Sequence, residues 1–99
     1  MKINTQSVHF DADVKLIDFV EKKLEKLELF FDRIIDAQVV LKLENSGKVK
    51  DKIAEIKINV PGEAIVSRGT SQTFEAAVDL AVNALRRQLI RFKERQRTY

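Results

Sequence analysis

The apolar residues of this chain keep two different periods, one strand-like and one helix-like, and the order in which they alternate constrains the fold more than any other feature. From Lys2 to Val8 polar and apolar positions alternate, with Ile3, Thr5 and Ser7 on one face and Asn4 and Gln6 on the other, which predicts a short strand. From Asp13 the period changes. Ile17, Val20, Leu24, Leu27 and Phe31 are spaced three, four, three and four apart, the stripe of an amphipathic helix whose first amides Asp11 or Asp13 can cap. RIIDAQVVLKLE then returns to alternation, with Ile35, Ala37, Val39, Leu41 and Leu43 on one face, and NSGK supplies a turn. Lys52 to Val60 predicts a third strand with Ala54, Ile56, Ile58 and Val60 inward. Pro61 and Gly62 then form a tight turn into a fourth strand, EAIVSRGT. After a polar junction, Thr70 to Thr73, a second helical stripe runs through Phe74, Val78, Ala81, Leu85, Leu89 and Phe92.

The order is β-α-β-β-β-α. One apolar sheet face needs covering and each helix has one stripe to bury, so the expected class is α+β with two layers. The sheet should be four-stranded and mixed, with both helices packed on one face. Three strands joined by short turns are antiparallel neighbours, and the strand before the first helix pairs parallel with one of them through a right-handed crossover. Residues 1–99 amount to one domain. On the outer sheet face Lys52, Glu55, Lys57 and Asn59 are expected, with Ile53 as the one large apolar interruption.

Composition narrows the function classes. A 44% hydrophobic, 33% charged chain is ordered and globular, and no run approaches the ~18 apolar residues of a membrane helix. There is no cysteine and one histidine, so a disulfide framework, a thiolate metal site and most nucleophile–base pairs are excluded. The serines lie in strands or turns, and neither GxxxxGK[ST] nor GxGxxG occurs. His9, Asp11 and Asp13 could imitate a metal cluster, but hard-cation loops need more oxygens at fixed offsets, and helix capping accounts for the carboxylates. No enzyme, metal, cofactor or small-molecule substrate is expected, and the alternating N-terminus does not read as a leader, which points to the cytoplasm.

Charge is the informative property. The last fourteen residues, RRQLIRFKERQRTY, carry six Arg or Lys and one acid, while residues 1–85 carry twelve bases and fourteen acids. The whole basic excess therefore sits at one end. At ~100° per residue Arg87, Arg91 and Arg95 form one row, and Arg86, Lys93 and Arg97 cluster on the other side of the Leu85, Leu89 and Phe92 stripe. The helix dipole accounts for one or two cations in a final turn. It does not account for six, which repel one another at i, i+4 spacing by a few tenths of a kcal/mol. Phosphates are the natural compensating partner, because guanidinium groups fork onto two oxygens and neutralised phosphates release counterions. In the first helix Lys15, Lys22 and Lys26 share one edge with Lys23 beside them, while Asp18, Glu21, Glu25 and Glu28 gather opposite. The two basic helix edges can adjoin in one surface.

KKLEKLELFFDRI (22–34), the VVLKLE strand and FEAAVDLAVNALRRQLIRFKER (74–95) together resemble the ribosome hibernation-promoting factors, which include the ribosome-associated inhibitor. The resemblance covers essentially the full chain. It implies a fold like that of double-stranded-RNA-binding domains, and binding to the small ribosomal subunit and its 16S rRNA in the channel of the A and P sites. Translation would then be inhibited by blocking messenger and transfer RNA. Carried over by position, it implies RNA contacts from Lys23, Lys26, Arg87, Arg91, Lys93 and Arg95. The charge pattern adds Lys22 and Arg86. Phe74, Gln72 and Ala84 depart from common family residues, where tyrosine, aspartate and a base are frequent, and Arg86 and Arg97 are additional cations. Length implies a short form, for which ribosome pairing would need a separate dimerising factor or an effect transmitted through the ribosome. A freestanding structured-RNA-binding protein, and a module using its arginine rows on an acidic protein, are the alternatives.

Overall fold

The structure, a computed structural model, describes residues 1–46 and 49–97, with side chains described except at 45–46, 49–50 and 96–97. The strands are β1 (Lys2–Val8), β2 (Asp36–Ser46), β3 (Val49–Val60) and β4 (Glu63–Ser71), and the helices are α1 (Val14–Phe30) and α2 (Phe74–Arg97). The order β-α-β-β-β-α is as the periods require. The sheet order is β1-β2-β3-β4. β1 is parallel to β2, whereas β2–β3 and β3–β4 are antiparallel, so α1 is the crossover between adjacent parallel strands. Gly47 and Lys48 of the NSGK turn lie outside the described residues.

Local chemistry sets the boundaries. Asp13 Oδ1 accepts the Leu16 amide at 2.8 Å and so caps α1; Thr73 Oγ1 accepts the Ala76 amide at 3.1 Å and caps α2. α1 ends where Phe31 turns to an extended conformation while its amide still reaches Leu27 O. Val60 and Glu63 are ladder partners across a two-residue turn in which Gly62 takes φ 90°, a conformation that suits glycine.

The core is one cluster. It joins Leu16, Val20, Leu24, Leu27 and Phe31 of the α1 segment, the inward residues of β2 to β4, and Phe74, Ala77, Val78, Ala81, Leu85, Leu89 and Phe92 of α2. Both helices therefore lie on one sheet face. Four expectations about individual side chains change. Leu16, not Ile17, completes the buried stripe of α1 and Ile17 is half-buried; the two flank the stripe at equal angles, so helix phase alone does not choose between them. Ile34 is buried and Ile35 exposed, although the Ile35 amide already donates to Asn59 O at 2.8 Å just before ladder pairing begins at Asp36. Lys52 shares the face of Ala54, two residues on, so it does not belong with Glu55, Lys57 and Asn59. Ile53 is on the outer face as expected, yet only 1% exposed. It lies between its ladder partners Lys42 and Thr70, and Lys42 reaches along the face to pair with Glu55 at 3.0 Å, bringing its aliphatic stem beside Ile53.

α2 approaches β4 closely. Ser67 Oγ, buried, donates to Ala81 O at 2.8 Å, and a Cβ at Gly69 would lie 2.1 Å from Ala77 O and 2.9 Å from Ala81 N. Backbone cannot yield there as a side chain would. Gly69→Ala should cost about 3 kcal/mol or more and lower the thermal unfolding midpoint by roughly 12 °C or more, measured by circular dichroism.

Candidate nucleic-acid interface

With Ala77, Ala81, Leu85, Leu89 and Phe92 buried, the two cationic edges of α2 fall on opposite sides. Arg86 and Lys93 face α1; Arg91 and Arg95 lie toward β4. α1 meets the first edge with its own row, Phe19, Lys23, Lys26 and Phe30, at i, i+4, i+7 and i+11, which is one face of a helix. Between the helices is a cleft of about 190 Å³ lined by Lys23, Lys26, Phe30, Asp79, Asn83 and Arg86, among others. Beside β4 a second, wider cleft of about 530 Å³ is lined by Glu63, Gln88, Arg91, Glu94 and Arg95.

Four of the cations rest against aromatic rings. Arg86 Cζ and Lys93 Nζ lie 5.0 Å and 4.7 Å from the Phe30 ring centroid. Lys23 Nζ is 5.3 Å from that of Phe19 and Arg95 Cζ 5.8 Å from that of Phe92. A ring face attracts a cation through its quadrupole by about 0.5–1 kcal/mol at exposed sites, enough to restrain a long side chain without removing it from solvent.

Two of the expected contact residues are also ion-paired. Lys23 Nζ is 3.0 Å from Asp79 Oδ1, linking α1 to α2. Arg95 Nη2 lies 3.1 Å from Glu63 Oε1 and 3.4 Å from Oε2, linking α2 to the start of β4. Lys22, Lys26, Arg86, Arg87 and Arg91 are exposed and Lys93 is half-buried. The side chain of Arg97 lies outside the described residues. The lysine edge of α1 thus adjoins only the Arg86/Lys93 edge, and the Arg87, Arg91 and Arg95 row continues around α2 to the β4 side. His9, Asp11 and Asp13 do not assemble a metal site: among the described residues no group of three His, Cys, Asp or Glu is placed to hold a cation.

Sequence reasoning missed the aromatic platforms and the carboxylates. The row of Phe19, Lys23, Lys26 and Phe30 carried a usable signal in its spacing. Glu63 and Asp79 carried none, because each meets its cation only through tertiary packing.

The family described as Sigma 54 modulation protein / S30EA ribosomal protein matches residues 3–97. The "Ribosome hibernation promoting factor" of Azotobacter vinelandii is 38% identical over 96 residues, covering 97% of this chain and 86% of that protein. Among solved structures, a ribosomal subunit interface protein from Coxiella burnetii superimposes with a TM-score of 0.85 at 26% identity, covering 95% of this chain and 99% of that one. The N-terminal domain of Thermus thermophilus Protein Y gives 0.80 at 33% identity, covering 93% and 99%.

The Lys23–Asp79 pair is partly exposed on both sides, where such pairs contribute about 0–1 kcal/mol. A double-mutant cycle with Lys23→Met and Asp79→Asn should give a coupling energy below about 1 kcal/mol. In thermal melts that coupling should disappear at 1 M salt, where the screening length is about 3 Å.

Proposed function

The chain belongs to the Sigma 54 modulation protein / S30EA ribosomal protein family, and from that premise we propose that it is a ribosome hibernation factor acting on the small ribosomal subunit. Its two-helix face binds 16S rRNA in the channel of the A and P sites, and the body of the domain excludes messenger and transfer RNA. The protein works in the cytoplasm by occupancy, with no bond made or broken. The observation that carries this reading is the placement of Lys22, Lys26, Arg86, Arg87, Arg91 and Lys93 on the helical layer, outside the Lys23–Asp79 and Arg95–Glu63 pairs. The names of the Azotobacter and Coxiella relatives support the choice of a ribosome over other polyanions. No described helix is long and apolar enough to cross a membrane.

The physical basis is electrostatic. Each phosphate neutralised by an available cation releases condensed counterions, so six such contacts should give a plot of log affinity against log salt with a slope of about −4 to −5, from ~0.7–0.9 per contact. A slope near zero would remove the mechanism. Arg87→Glu combined with Arg91→Glu reverses charge at two exposed positions. Co-sedimentation with small subunits should be lost, while unfolding free energy changes by no more than about 0.5 kcal/mol per site. Retention of the double variant on subunits would refute the assignment of α2. Nuclease treatment of the lysate before sedimentation distinguishes ribosome binding from attachment to free structured RNA.

Occupancy also fixes the form of inhibition. A ligand that excludes others only while bound is displaced by mass action, so inhibition of initiation in a purified system should weaken as messenger and initiator transfer RNA are raised together. Inhibition that is indifferent to both would rule out competition.

A further inference from the structure

Each of the two clefts flanking α2 holds carboxylates next to its cations, and the two that pair with helix cations, Asp79 and Glu63, are not explained by stability. The Lys23–Asp79 and Arg95–Glu63 pairs are solvent-accessible, and exposed pairs do little for a fold. Their larger effect is on the field of the helical face. Asp79 stands on the Arg86 edge of α2 against Lys23 of α1, in the cleft that also holds Phe30. Glu63 projects from the start of β4 against Arg95, in the cleft that also holds Arg91. The acids come from different elements and stand on opposite sides of one helix, and each engages one of the eight cations expected to contact RNA.

We propose that Glu63 and Asp79 are specificity-determining residues of the anion-binding face, which hold Arg95 and Lys23 away from generic polyphosphate and select an RNA surface with hydrogen-bond donors beside its phosphates. This deepens the ribosome-binding reading and rests on it. A cation already compensated by a carboxylate releases little further counterion when a phosphate approaches, so a featureless polyanion gains nothing from Lys23 or Arg95 and is repelled by the freed acid. A folded RNA can satisfy that acid. A base amino group donates to a carboxylate, leaving the cation to a neighbouring phosphate. The acids therefore weaken binding to the wrong anion more than to the right one, which is how specificity is obtained when attraction alone does not discriminate.

The test compares the full chain with Glu63→Gln, Asp79→Asn and the double variant on two ligands, heparin and purified small ribosomal subunits. Both substitutions are nearly isosteric, and thermal unfolding checks that the fold is kept. For heparin, which has no base edges, each single variant should steepen the salt slope by about 0.7–0.9 and bind tighter by roughly fivefold to eightfold at 0.1 M salt, and the double variant should show about twice that slope increment and the product of the two gains. Affinity for subunits should rise less or fall, so the ratio of subunit to heparin affinity drops. Unchanged heparin affinity would overturn the proposal by showing that the acids do not restrain the cations. Equal gains on both ligands would overturn it by showing that they lower affinity without selecting. If the parent chain does not bind subunits, the proposed function fails instead, and the heparin series still reports whether the pairs hold their cations.

Discussion

The seat of α2 on β4 governs the rest of the structure. Gly69 and Ser67 on the strand, and Ala77 and Ala81 on the helix, leave no side chain bulky enough to hold the two elements apart, and the Ser67 hydroxyl is bonded to a helix carbonyl. A helix lying this close to a sheet has little freedom to roll. Its roll decides which residues face α1, which face β4 and which face solvent. A rotation of one residue, ~100°, would carry Arg86 and Lys93 away from Phe30 and separate Arg95 from Glu63. The charge pattern of the surface thus follows from packing between small residues in the interior.

Long helical stripes were legible in the sequence because they average over many turns. All six residues assigned to the α2 stripe are buried, and that alone placed the arginine rows on the outside. The strand pattern was legible for the same reason, including the Pro61–Gly62 hairpin. Single positions near the ends of elements were not. Ile17 and Ile35 sit near the ends of elements, where a period begins or stops, whereas Lys52 lies inside β3 and alternation with Ala54 already places it on the inner face. Ile53 illustrates a different limit: its parity gave the correct face, but its burial is set by neighbours on other strands, Lys42 and Thr70 among them.

The candidate interface divides in the same way. Cation positions follow from helix phase and were readable from residue numbers. The company those cations keep is a tertiary fact. Asp79 reaches Lys23 only because α1 and α2 are neighbours, and Glu63 reaches Arg95 only because α2 runs back along the full length of β4. A count of basic residues therefore overstates the attraction a phosphate experiences, since two of the eight are already engaged.

Preorganisation connects these observations. A free Lys or Arg side chain carries about 2 kcal/mol of rotamer entropy, and a ligand that immobilises several of them loses much of the attraction it gains. Here four of the eight expected contacts, Lys23, Arg86, Lys93 and Arg95, already rest over aromatic rings, and all eight spring from two helices locked to one core. Part of the ordering cost is consequently met during folding. The rings fix position without supplying an opposing charge, so Arg86 and Lys93 remain attractive to phosphate while restrained. The carboxylates fix position and oppose the charge as well. Phe30 and Asp79 thus stand in the same cleft with opposite consequences, one strengthening the response to any phosphate and the other confining it to a partner that can also satisfy an acid.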